Sequence, residues 1–105
     1  MTNIVLTVQP CGNGKFRLGL SLNDSRSYFK KRKQQVLIIV GTRVFNTQTT
    51  CGSDKKGYDL YSTEINEWII ENNYHKYPRH KPTKLEFELD VISDKIKLTL
   101  KRKID

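Results

Sequence analysis

The sequence of 105 residues lacks the features that mark several large classes of protein. No apolar run approaches the roughly 20 residues of a membrane helix, and no basic leader precedes an apolar segment near the N-terminus. We therefore expect a soluble, cytoplasmic protein without a membrane partner. The length fits one domain over residues 1–105, either alone or as a module of a larger protein.

Cysteine is scarce. The two cysteines, Cys11 and Cys51, are too few for a disulfide framework, and each stands beside a glycine in a polar setting, which favours free thiols. A zinc site that joined them to His75 and His80 would have neither a CxxC nor an HxxxH pair. We expect no metal and no cofactor.

Motifs for catalysis are also missing. The chain has no GxSxG, no HExxH and no phosphate-binding glycine loop. The acids of "LEFELD" alternate with apolar residues, which is typical of a solvated strand face and not of a metal-dependent nuclease centre. His75 and His80 lie in a basic loop, where they add to a positive surface. The sequence therefore predicts that the domain itself is not catalytic.

Acidic residues are few relative to basic ones. Nineteen Lys and Arg against eleven Asp and Glu give a formal net charge of +8 and an isoelectric point near 9.6. This excess favours an anionic partner, and nucleic acid is the simplest one. A hydrophobic fraction of 36% supports a folded core and excludes a disordered chain.

Alternation of apolar and polar residues predicts strands in "NIVLTVQ", "KFRLGLSL", "TKLEFELDV" and "KIKLTLKRK". The glycines of "PCGNG" predict a long hairpin loop, and "ISDK" predicts a turn between strands whose acidic and basic faces pair. The apolar run "QVLIIVG" predicts a central strand covered on both faces. "TRVFNT" and "GYDLYS" predict two strands joined by a polar stretch, residues 46–57.

Two segments predict short helices. "NDSRSYFKKRK" offers Asn23 or Asp24 as the N-cap, and "STEINEWIIENN" offers Ser62 or Thr63. The second helix has one apolar face, formed by Ile65, Trp68 and Ile69. We expect a mostly β fold with two short helices: a small pseudobarrel of about seven strands with the helices over its ends.

The polar stretch offers amide, hydroxyl and carboxylate groups that match base edges in a DNA major groove, although a polar mobile loop would have the same composition. The basic run "YFKKRK" and the nearby Arg26 would contact phosphates, which provides affinity without reading sequence. Both observations point to nucleic acid.

The order of elements and the segment "GYDLYSTEINEWIIEN" resemble the B3-like DNA-binding pseudobarrel of plant transcription factors and of some bacterial restriction endonucleases. "KPTKLEFEL" lacks the Gly-Asp pair that this family carries before its sixth strand, so the bacterial type is the closer likeness. The resemblance implies two arms that grip the major groove of double-stranded DNA. The first arm is residues 9–17, and the second arm is residues 43–56.

The resemblance further implies a sequence-specific recognition module of a restriction endonuclease or related defence protein, with a nuclease domain or subunit as its partner. The arms and the basic run together predict these DNA-binding residues: Gln9, Asn13, Lys15, Arg17, Arg26, Lys31, Arg43, Asn46, Gln48, Thr49, Thr50, Ser53, Asp54, Lys55 and Lys56. Two alternatives stay open. One is a protein-interaction module such as a phage-encoded inhibitor; the other is a small barrel that binds RNA or single strands by stacking on aromatics.

Overall fold

A computed structural model describes residues 2–29, 33–53 and 57–104, and their side chains except those of residues 50–53. The elements are β1 Thr2–Pro10, β2 Phe16–Gly19, α1 Leu22–Tyr28, β3 Gln35–Val40, β4 Arg43–Ser53, β5 Gly57–Leu60, α2 Thr63–Glu71, β6 Lys84–Ile92 and β7 Lys95–Ile104. The predicted fold class, a small barrel of about seven strands with two short helices, is confirmed.

The strands form a closed barrel in the order β1-β2-β5-β4-β3-β7-β6, with β6 returning to β1. All neighbours are antiparallel except β3 and β7, which pair in parallel from Val36 with Ile96 to Ile39 with Thr99. Closure leaves these strands without a free edge, so their backbone groups are paired within the protein.

The core fills the barrel and follows the predicted alternation. In β1 and β6 every second side chain points inward, so Ile4, Leu6, Val8, Leu85 and Phe87 are at most 3% exposed. Burial of each such side chain contributes about 1.5–3 kcal/mol relative to exposure. The repeat of two therefore settles which face of each strand is the inner one.

The helix α2 begins and packs as predicted. Ser62 is its N-cap, and its hydroxyl accepts a hydrogen bond from the backbone N–H of Ile65 at 3.1 Å. Ile65, Trp68 and Ile69 are buried. The indole of Trp68 lies with its ring centre 6.0 Å from that of Phe45, which attaches the helix to β4.

The helix α1 begins two or three residues earlier than predicted. Ser21 is the N-cap and its hydroxyl accepts from the N–H of Asp24 at 3.0 Å, so the prediction of Asn23 or Asp24 as the cap is wrong. Leu22, predicted as the last strand residue, is the first helical one. The buried hydroxyl of Ser25 accepts from the N–H of Tyr58 at 2.8 Å, and this tertiary bond fixes the helix against β5.

The strand β3 is covered on one face only. Val36 and Ile38 point into the barrel and are buried, whereas Leu37 and Ile39 are half-buried on the outside. The prediction of a strand covered on both faces is wrong, because a strand in a small barrel has an inner and an outer side.

The polar stretch is mostly strand and not loop. The strand β4 continues to Ser53, so only residues 54–56, outside the described residues, separate it from β5. Thr47 and Thr49 point inward and are buried. Thr47 Oγ1 donates to the carbonyl of Tyr61 at 3.0 Å, and Thr49 Oγ1 accepts from the N–H of Gln34 at 2.9 Å. The predicted loop is wrong because threonine suits a strand and these bonds satisfy its hydroxyl.

The hairpin of β6 and β7 is confirmed, with the predicted pairs between its acidic and basic residues. Lys97 lies 4.0 Å from Asp90, Lys101 lies 3.6 Å from Glu88, and Arg102 lies 2.9 Å from Glu86. These pairs cover the outer face of the hairpin.

The two helices lie toward opposite ends of the barrel. At the start of β2, the N–H of Phe16 donates to Asn66 of α2 at 2.8 Å. At the start of β5, Tyr58 bonds to α1, and β5 runs antiparallel to β2. The expected placement of the helices agrees with this arrangement. Neither helix, nor any other in the described part of the chain, has the length and apolar character needed to cross a membrane.

Candidate nucleic-acid interface

The loop of the first arm projects from the barrel end that carries α2. Gly12, Asn13 and Gly14 have φ values of 93°, 53° and 72°, which these residue types adopt more readily than others. The N–H of Cys11 donates to the carbonyl of Lys15 at 2.9 Å and closes the loop. Asn13 and Lys15 are exposed at this tip, so two predicted binding residues are accessible to a partner.

At the base of the first arm, the side chain of Gln9 packs over Gly19, which has no side chain of its own. The register places Gln9 opposite Arg17 and Thr7 opposite Gly19. A Cβ added to Gly19 would lie 2.7 Å from Cδ of Gln9, so the amide of Gln9 occupies the space above the glycine. Gln9 is thereby packed along the outer surface of β2 and half-buried there.

Arg17 is held by an acid of β5. Its Nη1 lies 3.4 Å from Oδ2 of Asp59, and the two side chains are 29% and 16% exposed. Burial raises the pKa of Asp59 above its usual range, and the attraction to Arg17 opposes this shift only in part. The buried Nε of Arg17 has no hydrogen-bond partner among the described residues. The guanidinium therefore has donor capacity beyond the ion pair.

The outer side of β4 carries two amides. Asn46 is exposed and Gln48 half-buried, and they alternate with the inward-pointing Phe45, Thr47 and Thr49. Gln48 Oε1 accepts from Nε2 of Gln35 on β3 at 3.2 Å, which aligns one amide with the other. An open depression of about 310 Å³ lies over these side chains, and it is lined by Gln35, Asn46, Thr47, Gln48, Tyr61 and Ser62.

These strands together present one continuous outer surface, which we name the polar face. It comprises Gln9, Arg17, Gln35, Asn46, Gln48, Asp59 and Tyr61, on the neighbouring strands β1, β2, β5, β4 and β3 and at the end of β5. The sequence did not single out Gln35, Asp59 and Tyr61. The alternation of "GYDLYS" could have found Asp59 and Tyr61, because both fall opposite the core positions Tyr58 and Leu60.

Two further cations among the predicted binding residues, Arg43 and Arg26, lie at the edges of the polar face. Arg43 begins β4 at the end nearer α2, where its Nη1 lies 3.0 Å from Oε2 of Glu71. Its guanidinium also lies 5.0 Å from the ring centre of Phe45. Arg26 is exposed in the last turn of α1, toward the opposite end.

Thr49 does not belong to the candidate interface. Its side chain is fully buried, so it cannot reach a partner, and the sequence prediction for this residue is wrong. Burial arises because the second arm is a strand whose alternate side chains face the core. The predictions for Lys31, Thr50, Ser53, Asp54, Lys55 and Lys56 fall on positions whose side chains lie outside the described residues.

The loop of the first arm and the C-terminal end of β4, in the second arm, lie at opposite ends of the polar face. The loop of the first arm ends at Lys15, just before β2, whereas β4 ends at Ser53, the register partner of Gly57 at the start of β5, which runs antiparallel to β2. Gly57 lies beside the carbonyl of Leu20. From Lys15 to Leu20 the chain spans roughly 17 Å at about 3.3 Å per residue, and duplex DNA rises about 3.4 Å per base pair. The distance between these two ends therefore matches roughly five base pairs.

Among residues 2–29, 33–53 and 57–104, no three His, Cys, Asp or Glu side chains are grouped so that they could hold a metal ion. Cys11 is a half-buried free thiol, and the ring of His75 lies with its centre 5.3 Å from that of Phe16. Comparisons of the chain with protein-family models, with curated proteins and with solved structures return no match.

Proposed function

We propose that this domain binds double-stranded DNA in a sequence-specific manner, with its two arms in the major groove and the polar face, which includes residues of both arms, against the bases. The observation that carries the proposal is the group of outward amides on β3 and β4. These amides line an open depression, and basic residues lie on both sides of it. Water satisfies these groups in the free protein, and the edges of bases offer donors and acceptors that can replace it.

Asn46 and Gln48 are the base-reading residues in this proposal. The amide of Asn or Gln can donate from its nitrogen to N7 of adenine and accept with its oxygen from the N6 amino group. The bond from Gln35 to Gln48 limits the rotation of the Gln48 amide, so less side-chain entropy is lost on binding. The contact is thus partly prepared in the free protein.

Basic residues of the first arm and of α1 contribute affinity through phosphates. Lys15 stands at the tip of the first arm and Arg26 at the far end of the polar face. Lysine and arginine that contact phosphates release counterions, and this gain does not depend on sequence. The net charge of +8 favours rapid encounter with DNA. Specificity then rests on the amides and affinity on the cations.

We further propose that the domain is B3-like and serves as the recognition module of a restriction endonuclease or related defence protein. Support comes from the element order, with a helix after β2 and another after β5, and from the described residues of both arms that share one outer surface. In this proposal the domain is not catalytic, and a nuclease domain or subunit cleaves the DNA.

An RNA or single-strand binder would need aromatic rings exposed for stacking. Nine of the ten aromatics serve the core instead: five are buried, and four more are partly buried and pack against it, namely Phe29, Phe45, Tyr58, Trp68 and Phe87, and Phe16, Tyr28, Tyr74 and Tyr77. Tyr61 is half-buried at the polar face and is a single ring. This distribution favours duplex DNA over a single strand.

A selection of bound duplexes from a random pool tests the proposal. One selected sequence should outcompete random duplex by at least about a thousandfold, the lower end for specific readers. Its affinity should fall steeply with salt. Equal competition by all duplexes would overturn specific reading, and stronger competition by single strands or by an acidic polypeptide would favour the alternative functions.

A further inference from the structure

A second basic region lies away from the polar face. The connection between α2 and β6 and the last residues of β7 form a cleft of about 440 Å³. Its lining consists of Lys76, Tyr77, Pro78, His80, Lys81, Pro82, Thr83, Lys84, Lys103 and Ile104. This set contains four lysines and a histidine but no acidic residue, and we name it the basic cleft.

The lysines of the basic cleft are not neutralised within the described protein. Lys76, Lys81, Lys84 and Lys103 form no ion pair within 4 Å there, although their neighbours on β7, Lys97, Lys101 and Arg102, all do. Like charges that share a cleft repel one another and lower the stability of the fold. An anionic ligand would reduce this repulsion, so its binding to the cleft would be favourable.

The backbone of the cleft is well defined. Pro78 and Pro82 restrict the φ angles of the connection, and the N–H of Lys81 donates to the carbonyl of Pro78 at 3.0 Å. The half-buried Tyr77 packs against the core. The lysines are therefore displayed from an anchored segment, and binding need not order the backbone first.

The basic cleft lies beside the first arm. The N–H of Val8 donates to the carbonyl of Thr83 at 2.9 Å, and Lys84 is the register partner of Thr7. In the barrel β1 stands between β2, which carries the polar face, and β6, where the cleft begins. The first arm extends from β1, so it has the polar face on one side and the basic cleft on the other.

We propose that the basic cleft binds backbone phosphates of the same duplex that the polar face reads, outside the base pairs that the polar face contacts. This inference rests on the proposed function. The protein measures 36 × 32 × 25 Å along its principal axes, and one turn of duplex is about 34–36 Å long, so one duplex can lie along both surfaces.

The chemistry of the cleft suits phosphate and not base recognition. Ammonium groups are compact point charges that approach phosphate oxygens from many directions, whereas guanine is read best by a planar guanidinium fork. Thr83 is buried, so no hydroxyl of this residue is offered to a base edge. The cleft therefore adds affinity and leaves sequence preference unchanged.

Two triple variants with equal loss of charge test the inference. The first, Lys81→Gln, Lys84→Gln and Lys103→Gln, removes charges of the basic cleft. The matched control, Lys97→Gln, Lys101→Gln and Arg102→Gln, removes three ion-paired charges from the outer face of the hairpin. Both lower the net charge by the same amount, so long-range attraction falls equally in both. Circular dichroism and thermal melting are used to check that both triple variants are folded.

The cleft variant should bind the selected duplex about tenfold or more weakly than the control, with a salt slope smaller by roughly 3, one for each lost phosphate contact. Its preference for the selected sequence over random duplex should match the wild type, and each chain should bind one duplex. Equal affinities and slopes for the two triple variants would overturn the inference. Two duplexes per chain would overturn it as well, because the cleft would then hold a separate ligand.

These results separate this inference from the proposed function. If the wild-type protein binds the selected duplex specifically and the two triple variants behave alike, only the basic cleft is rejected. If the wild-type protein binds no duplex, both the proposed function and the role of the cleft are rejected.

Discussion

The outer face of the β6–β7 hairpin and the polar face are both hydrophilic, but they differ in where their groups find partners. On the hairpin, Glu86, Glu88 and Asp90 each lie within 4.0 Å of a basic side chain. On the polar face the amides carry no charge, and Asn46 is exposed beside the open depression.

The comparison shows that polarity alone does not locate a binding site. A surface whose charges are paired within the protein presents little that an external ligand would improve, and its pairs are worth little in stability when exposed. A surface with spare donors and acceptors gains from a partner that supplies them. For this reason we propose the DNA interface on β4 and not on the more highly charged hairpin.

The largest expected effect comes from removing the amides of the polar face. Asn46→Ala or Gln48→Ala should cost about 1–3 kcal/mol on the selected duplex, or roughly 5- to 150-fold in Kd, and much less on random duplex. Fluorescence anisotropy with both duplexes measures the two losses.

Asn3→Ala is the matched control for these variants. Asn3 is an exposed amide on the outer side of β1, opposite Glu88 in the register, and it lies outside the polar face. It should leave both affinities unchanged. An intact preference in folded Asn46→Ala and Gln48→Ala proteins would remove base reading from β4.

A smaller effect is expected from the tip of the first arm. Lys15→Gln should weaken binding to the selected duplex severalfold and lower the salt slope by about 1, whereas Lys97→Gln should change neither, because Lys97 already pairs with Asp90. An equal loss on random duplex would assign Lys15 to phosphate, and a smaller loss there would assign it to guanine. Identical behaviour of Lys15→Gln and Lys97→Gln would exclude the first arm from the interface.

The pair of Arg17 and Asp59 is the one place where the polar face resembles the hairpin, and breaking it should increase affinity. Asp59→Asn removes a negative charge from the interface and releases Arg17, so binding at neutral pH should tighten roughly three- to tenfold. Titration of duplex at several pH values measures the effect.

The gain from Asp59→Asn should depend on pH in one direction. Burial raises the pKa of Asp59 in the folded protein above its ordinary value of 3.8, so the neutral acid is favoured by folding. The stability from this preference is complete below the unfolded pKa and is lost as pH rises through the folded pKa. Lowering the pH protonates Asp59, so wild-type affinity should approach that of Asp59→Asn. A ratio of affinities that is constant with pH would contradict this role of Asp59.

The smallest effect is expected on the hairpin. Glu86→Gln breaks the pair of Arg102 Nε and Glu86 Oε1, but Arg102 is 70% exposed, and solvent weakens the attraction. The free energy of unfolding should fall by about 0.2–1 kcal/mol, and the preference among duplexes should not change. Denaturant titration in a double-mutant cycle with Arg102→Gln isolates this pair. A changed sequence preference would mean that the hairpin also belongs to the interface.

Local pattern accounts for much of the fold. The alternation in β1, β6 and β7 predicts both the strands and their inner faces, and the spacing of Ile65, Trp68 and Ile69 predicts α2. These predictions succeed because the repeat of a strand or helix places apolar groups on one side, whatever the rest of the chain does.

The sequence predictions fail where contacts between residues distant along the chain determine the local structure. Thr47 and Thr49 are polar in sequence yet lie in the barrel, because the carbonyl of Tyr61 and the N–H of Gln34 satisfy their hydroxyls. Ser21 and not Asn23 caps α1, and the next turn of that helix is anchored by the bond from Tyr58 to Ser25. Partners that are remote along the chain cannot be inferred from a local window.

By itself the sequence determined the seven strands, the two helices, the inner faces of the regular strands and the positive charge. These depend on composition and on periods of two and 3.6 residues, which are local properties. Only the tertiary structure decided that β3 pairs in parallel with β7, that Gln35 aligns with Gln48, and that Asp59 holds Arg17. Barrel closure brings these residues together, and closure depends on the combined burial of the whole core, which no single segment encodes.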